Sequence, residues 1–195
     1  MANFNTIRYN NPYSTAGNFV KISSTTASSD STISFTSGID STYKEYVFYF
    51  VNIHPETDGS EFQFNMSVDS GSNYNVTKTT SFFDAEHNED DSYADIGYQT
   101  GQDLAQSTSF QNLSIDMEAN DSDGSLNGYL HLFNPSSTTF VKHFIAATTS
   151  MHQSARIYTS YIAGYGNTTS AVDAVQFKMS GDNIDSGTII MYGVK

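Results

Sequence analysis

Residues 43 to 53 read YKEYVFYFVNI, and the middle of that run, Tyr46 to Val51, is apolar at every position. A β-strand sends alternate side chains to opposite faces, so a strand with one wet face alternates apolar and polar residues. A run without alternation needs cover on both faces. Such a strand has no place in a lone sheet. It demands a second layer on one side and more chain, or another subunit, on the other. Tyr46, Phe48 and Phe50 share one face, and the expectation is that they meet a subunit partner.

The neighbouring segments agree with a layered β structure. Asp58-Gly59 is a turn signal. After it, Phe62, Phe64, Met66 and Val68 fall on one face of EFQFNMSV, with Glu61, Gln63, Asn65 and Ser67 on the other. The segment NIDSGTIIMYGVK puts Ile190, Tyr192 and Val194 on one face and Ile189 and Met191 on the other. That strand is therefore expected inside the fold, and its deletion is expected to unfold the domain. Further short strands are predicted over 19–24, 32–36, 113–117, 127–133, 140–147, 157–163 and 172–179. Pro135 in NPSSTT marks the loop of a hairpin between two of them.

Composition supports this. Isoleucine (13) outnumbers leucine (5), and phenylalanine and tyrosine together number 27. β-Branched and aromatic side chains suit a pleated sheet. The expected fold is all-β, an antiparallel β-sandwich of jelly-roll type with about ten strands over 19–195. Residues 1–18 lack a period and are expected to form an extended N-terminal arm. Residues 84–112 carry many acids and few aliphatics. They are expected to be a long solvated excursion, with a short helix near Asp103 to Gln106.

Charge narrows the partners. Eight Lys and Arg face 21 Asp and Glu, for a net charge of −13. Nucleic-acid backbones and anionic membranes are bound through cations, so neither is an expected partner. The first residues, MANFNTIRYNN, lack the basic start and apolar core of a signal peptide, so no export signal is expected. With no cysteine, thiolate metal sites, Cys nucleophiles and disulfides are excluded.

Catalytic signatures are missing. There is no G-x-S-x-G elbow, H-E-x-x-H, P-loop or dinucleotide fingerprint. His54, His87, His131, His143 and His152 are scattered, although His131 and His143 fall on opposite arms of the expected hairpin. Asp121 and Asp123 open a D-x-D-G turn that, with Glu118 and Asn120, is a candidate for an irregular Ca²⁺ site. An EF-hand loop is excluded, because its twelfth position is Leu132 instead of Glu. Asp84, Glu86, Glu89, Asp90, Asp91 and Asp95 form a sequential cluster. Glycoside hydrolysis needs two carboxylates facing each other across a cleft, which a loop cluster does not supply. No cofactor and no enzymatic activity are expected.

Three stretches resemble virion structural proteins of tailed phages, especially those of marine bacteria. They are NIDSGTIIMYGVK, ISFTSGIDSTYKEYVFYFVNIHPETDGSEFQFNMSVDSG and GYLHLFNPSSTTFVKHFIA, and the resemblance spans roughly 19–195. It implies a particle component with no catalytic residues, assembled in the host cytoplasm and located in the virion. The leading expectation is a capsid decoration or protrusion protein, a homotrimer bound to the major capsid protein through the 1–18 arm. The alternative is a tail-fibre or receptor-binding module that recognises a host surface glycan or protein.

Overall fold

The computed structural model describes residues 19–195; the arm expected over 1–18 lies outside the described residues. Twelve strands and no helix are present among the described residues. They are β1 (Phe19–Thr26), β2 (Ile33–Phe35), β3 (Glu45–Pro55), β4 (Phe62–Ser67), β5 (Lys78–Asn88), β6 (Ala94–Tyr98), β7 (Gln111–Asn112), β8 (Leu126–Phe133), β9 (Lys142–His152), β10 (Arg156–Gly166), β11 (Ala174–Met179) and β12 (Ile184–Val194).

The strands form two antiparallel sheets. The larger has eight strands in the order β1-β12-β3-β8-β9-β10-β5-β6, and the smaller has four in the order β2-β11-β4-β7. The fold is an antiparallel β-sandwich. β8 and β9 form the expected hairpin, pairing from Leu126↔Ser150 to Leu132↔Phe144. β12 lies between β1 and β3, so both its edges are hydrogen-bonded. Ile189 and Met191 are fully buried there.

The core lies between the sheets, with Phe177 of β11 at its centre. Its ring meets those of Phe48, Phe50 and Phe62 at centroid distances of 5.4, 5.3 and 5.7 Å, and Phe35 at 6.2 Å. Most of these contacts are edge-on or tilted, as ring quadrupoles prefer, and the Phe62 pair is stacked. Each such side chain contributes roughly 1.5–3 kcal/mol by leaving water.

Here the expectation for Tyr46, Phe48 and Phe50 is corrected. Their exposures are 0, 0 and 2 %, and they face the smaller sheet of the same chain. The core consumes them, so none is left for a subunit partner. Tyr46 also anchors a loop, because its hydroxyl accepts from Asp40 N at 2.9 Å and donates to Asp40 O at 3.0 Å. On the outward side of β3, Val47 is fully buried, Tyr49 packs against Phe19, Tyr129 and Tyr192, and Val51 is 41 % exposed.

Three other expectations change. Residues 78–98 are two paired strands, β5 and β6, where a solvated excursion was expected to begin at 84. Asp84 and Glu86 disguised β5, because they point inward. No helix forms at 103–106. Leu104 N instead bonds Thr80 Oγ1 at 2.8 Å, which straps this segment across β5. Residues 113–117 are buried but irregular, and only Met117 makes isolated bridges, to Ser60 and His152.

Two glycines are required by close approach. Gly193 leaves room for the Tyr43 ring, whose Cδ2 lies 2.3 Å from where a β-carbon would stand. Gly187 has φ +113 at an irregularity in the β12–β3 pairing, with Asn52 O 2.5 Å from an ideal β-carbon.

Candidate functional site

Two regions carry chemistry. The first is a polar patch on the inner face of the larger sheet, beyond the reach of the smaller one. Register pairs Ser160 with Asp84, Tyr158 with Glu86, and His152 with Arg156. Arg156 Nη1 donates to Glu86 Oε2 at 2.7 Å. Burial pushes the Glu86 carboxyl up, but Arg156 and Tyr158 outweigh it and hold the group below its ordinary value. Asp84 is 2 % exposed, and burial raises its pKa although Gln99 Nε2 donates to its Oδ1 at 2.9 Å. His152 stacks on Tyr158 at 4.9 Å, and burial lowers its pKa.

The Asp84 and Glu86 carboxylates share a face, as a two-residue spacing on a strand dictates. Their surroundings differ. One is neutralised by arginine, and the other lies beneath Gln99.

The second region is the outer face of the same sheet. Register places Tyr49, Tyr129, Ala147, Tyr161, Phe83 and Tyr98 in one row across six strands, from β3 to β6. At strand spacings of about 4.8 Å this row is about 24 Å wide. The flanking outward positions include Ile145 and Ile157, each 50 % exposed, and Ile96 at 70 %. The outward positions of β3, β5, β8, β9 and β10 hold a single carboxylate, Glu45, and it is hydrogen-bonded to His131. The acids of this chain are therefore displaced almost entirely from this face.

The face is stiffened by its own rings. Phe19, Tyr49 and Tyr192 pack mutually, with centroids 5.7–6.1 Å apart. Phe83 and Tyr161 stack at 5.1 Å and 18°. A groove runs between the rings over β9. One stretch, of about 320 Å³, is lined by Tyr129, Ala147, Thr149, Thr159 and Tyr161. The next, of about 270 Å³, shares Asn127 and Thr149 with it and ends at Met151, Ile157 and His87.

The residues singled out in the sequence are not gathered into a site. Asp121 and Asp123 lie on an exposed turn that Glu118 caps, Oε1 accepting from Asn120 N at 2.6 Å and Asp121 N at 3.2 Å. Among the described residues no three His, Cys, Asp or Glu side chains converge as metal ligands. His131 and His143 do share the outer face, but His131 is engaged by Glu45, and His143 lies 5.9 Å from the Tyr165 ring. His54 Nδ1 is 2.5 Å from Gly124 O. Glu89, Asp90 and Asp91 sit in the β5–β6 turn.

The outer face escaped the sequence reading. A usable signal was present in the doublets Phe82-Phe83 and Tyr161-Ile162 and in the run Phe144-Ile145-Ala146. In a strand, neighbouring apolar residues put one side chain in and the other out.

No helix among the described residues is long and apolar enough to cross a membrane. No protein-family model, curated protein or solved structure matches the chain.

Proposed function

We propose that this chain is a structural component of a tailed-phage particle that works by contact and not by turnover. The role within the particle is capsid decoration, with the protein seated on the major capsid protein and associated as a homotrimer in the virion. The observation that carries this reading is the outer face of the larger sheet. A chain of net charge −13 keeps a broad aromatic surface almost free of carboxylates. Extended apolar patches on soluble domains mark interaction surfaces. Standard protein interfaces bury about 800 Å² per partner, and a face of six or more strands has room for that. The corner formed by Phe19, Tyr49 and Tyr192, where residues 1–18 join the sandwich, is the seat on the shell. Net negative charge keeps the remaining surface away from packaged nucleic acid.

The test is occupancy. Purified heads lacking tails should carry the protein in many copies, and Tyr49→Lys combined with Tyr192→Lys should strip it from them while leaving the isolated domain folded. Absence of the native protein from tailless heads overturns the capsid assignment. The groove over β9 favours a second reading, a receptor-binding module, because beside that corner, where Tyr49 packs on Tyr129, it offers a separate recess lined by Tyr129 and Tyr161.

A further inference from the structure

We infer that the groove over β9 is a binding site for a neutral saccharide. The inference rests on the reading of the outer face as the contact surface and names what one part of it takes.

The walls come first. Tyr129 and Tyr161 stand in register on either side of Ala147. They are two strand spacings apart, so their α-carbons are separated by about 10 Å. A flat ring held at contact distance from two others needs about 7–8 Å between the outer planes. The short side chain of Ala147 leaves that gap open. Phe83 lies parallel against Tyr161 from the β5 side, so the opposite face of the Tyr161 ring looks over Ala147. Tyr129 is braced edge-on by Tyr49 at 6.4 Å and by His131 at 5.1 Å. Both walls pack against neighbouring rings without a ligand, and such preorganisation reduces the entropy lost on binding. A pyranose ring has apolar C–H faces that match the electron-rich faces of such rings.

The floor supplies the polar half. Thr149 and Thr159 are cross-strand partners, so their side chains are neighbours on the outer face, and both line the groove. Neither makes a side-chain hydrogen bond with another described residue. Asn127 Oδ1 accepts from Asn52 N at 2.9 Å, which fixes the amide and leaves Nδ2 as a donor at the groove. Donors and hydroxyls between aromatic walls fit a polyol with an apolar flank better than an apolar peptide, which would leave them unpaired.

Charge decides the class of sugar. The cation lining the groove, Arg156, is already paired with Glu86, and Glu89 lies at the same end. An anionic sugar finds no free guanidinium and approaches a strongly acidic protein. A neutral one meets no such opposition.

The test uses the full chain and calorimetric titration with neutral hexasaccharides (cellohexaose, laminarihexaose, maltohexaose and mannohexaose), with an alginate hexasaccharide as the anionic comparison. At least one neutral probe should bind with Kd near about 0.1–1 mM. Binding should fall at least about tenfold in Tyr161→Ala and Tyr129→Ala, a loss of about 1.4 kcal/mol or more. It should persist in Tyr161→Phe, which keeps the ring, and in Phe140→Ala, which removes an exposed aromatic outside the groove. Circular dichroism of each variant separates loss of binding from loss of fold. The inference is overturned if no neutral probe binds, if alginate binds as well as the neutral sugars, or if folded Tyr129→Ala and Tyr161→Ala bind like the native chain. Particle occupancy of the Tyr161→Ala variant separates the two readings. Native occupancy with no sugar binding by the native protein removes the saccharide and leaves the capsid role standing.

Discussion

Lys78 of β5 donates through Nζ to Oδ1 of Asn65 on β4 at 2.5 Å, and so joins the two sheets across the interior. The lysine is fully buried, with Val76 O at 2.9 Å as a second acceptor and no carboxylate of the described residues in bonding reach. Burial pulls its pKa down from 10.5 to about 7.

The sign of its effect follows from linkage. Above pH of about 10.5 the amine is neutral in both folded and unfolded chains, and burial carries no protonation penalty. Between about 10.5 and 7 the unfolded chain takes the proton and the folded one does not, so stability falls as pH falls through that window. Lys78→Met should therefore stabilise the domain at pH 7 by something on the order of 2–4 kcal/mol, with the advantage shrinking toward pH 10. Asn65 Oδ1 is not orphaned by the change, because Met66 N also donates to it at 2.8 Å. Urea midpoints across that range check this.

Arg156 and Glu86 give the opposite sign. The folded carboxyl titrates below its ordinary value, so its contribution is present above about pH 4.5 and is lost as pH falls through the folded pKa. Arg156→Met leaves a half-buried carboxylate without its partner. The stability gap between the variant and the native chain should widen as pH rises from about 3 to about 6. A gap that stays constant over that range would show that the pair carries no net charge coupling.

Phe177→Ala removes the ring against which five other phenylalanines pack, including Phe48 and Phe50. The expected loss is about 3–5 kcal/mol, read as a lower denaturant midpoint with little change in slope.

Tyr161 and Ile162 are adjacent in β10, yet one is 41 % exposed and the other 1 %. Tyr161→Ser should change stability by less than about 1 kcal/mol, and Ile162→Ser should cost about 3–5 kcal/mol. Equal effects would mean that the strand register is shifted by one residue.

How much of this could be read from the chain varies with the segment. Phe62, Phe64 and Met66 alternate cleanly, and all three are buried as expected. Val68, placed on the same face, is 39 % exposed because β4 ends at Ser67. β9 was harder. Its inward positions include Lys142, Thr148, Ser150 and His152, while Ile145 and Met151 point out. Hydropathy there runs against burial: Lys142 reaches the Phe140 carbonyl, Thr148 that of Leu113, and His152 stacks on Tyr158, while Ser150 Oγ is buried without a partner among the described residues. β5 was missed for a related reason: Asp84 and Glu86 read as solvated until their partners, distant in sequence, are known. The groove is a property of three strands in register. No single segment contains Tyr129, Ala147 and Tyr161, and only the pairing of β8, β9 and β10 makes them neighbours.

β12 is translated after the other eleven strands, yet it occupies a slot between the first and the third. Until it leaves the ribosome, β1 has nothing to pair with and β3 keeps a bare edge. The nascent chain must therefore carry an open, aromatic-lined gap until β12 has been made. During that interval it is vulnerable to capture by chaperones or by the strands of a sister polypeptide.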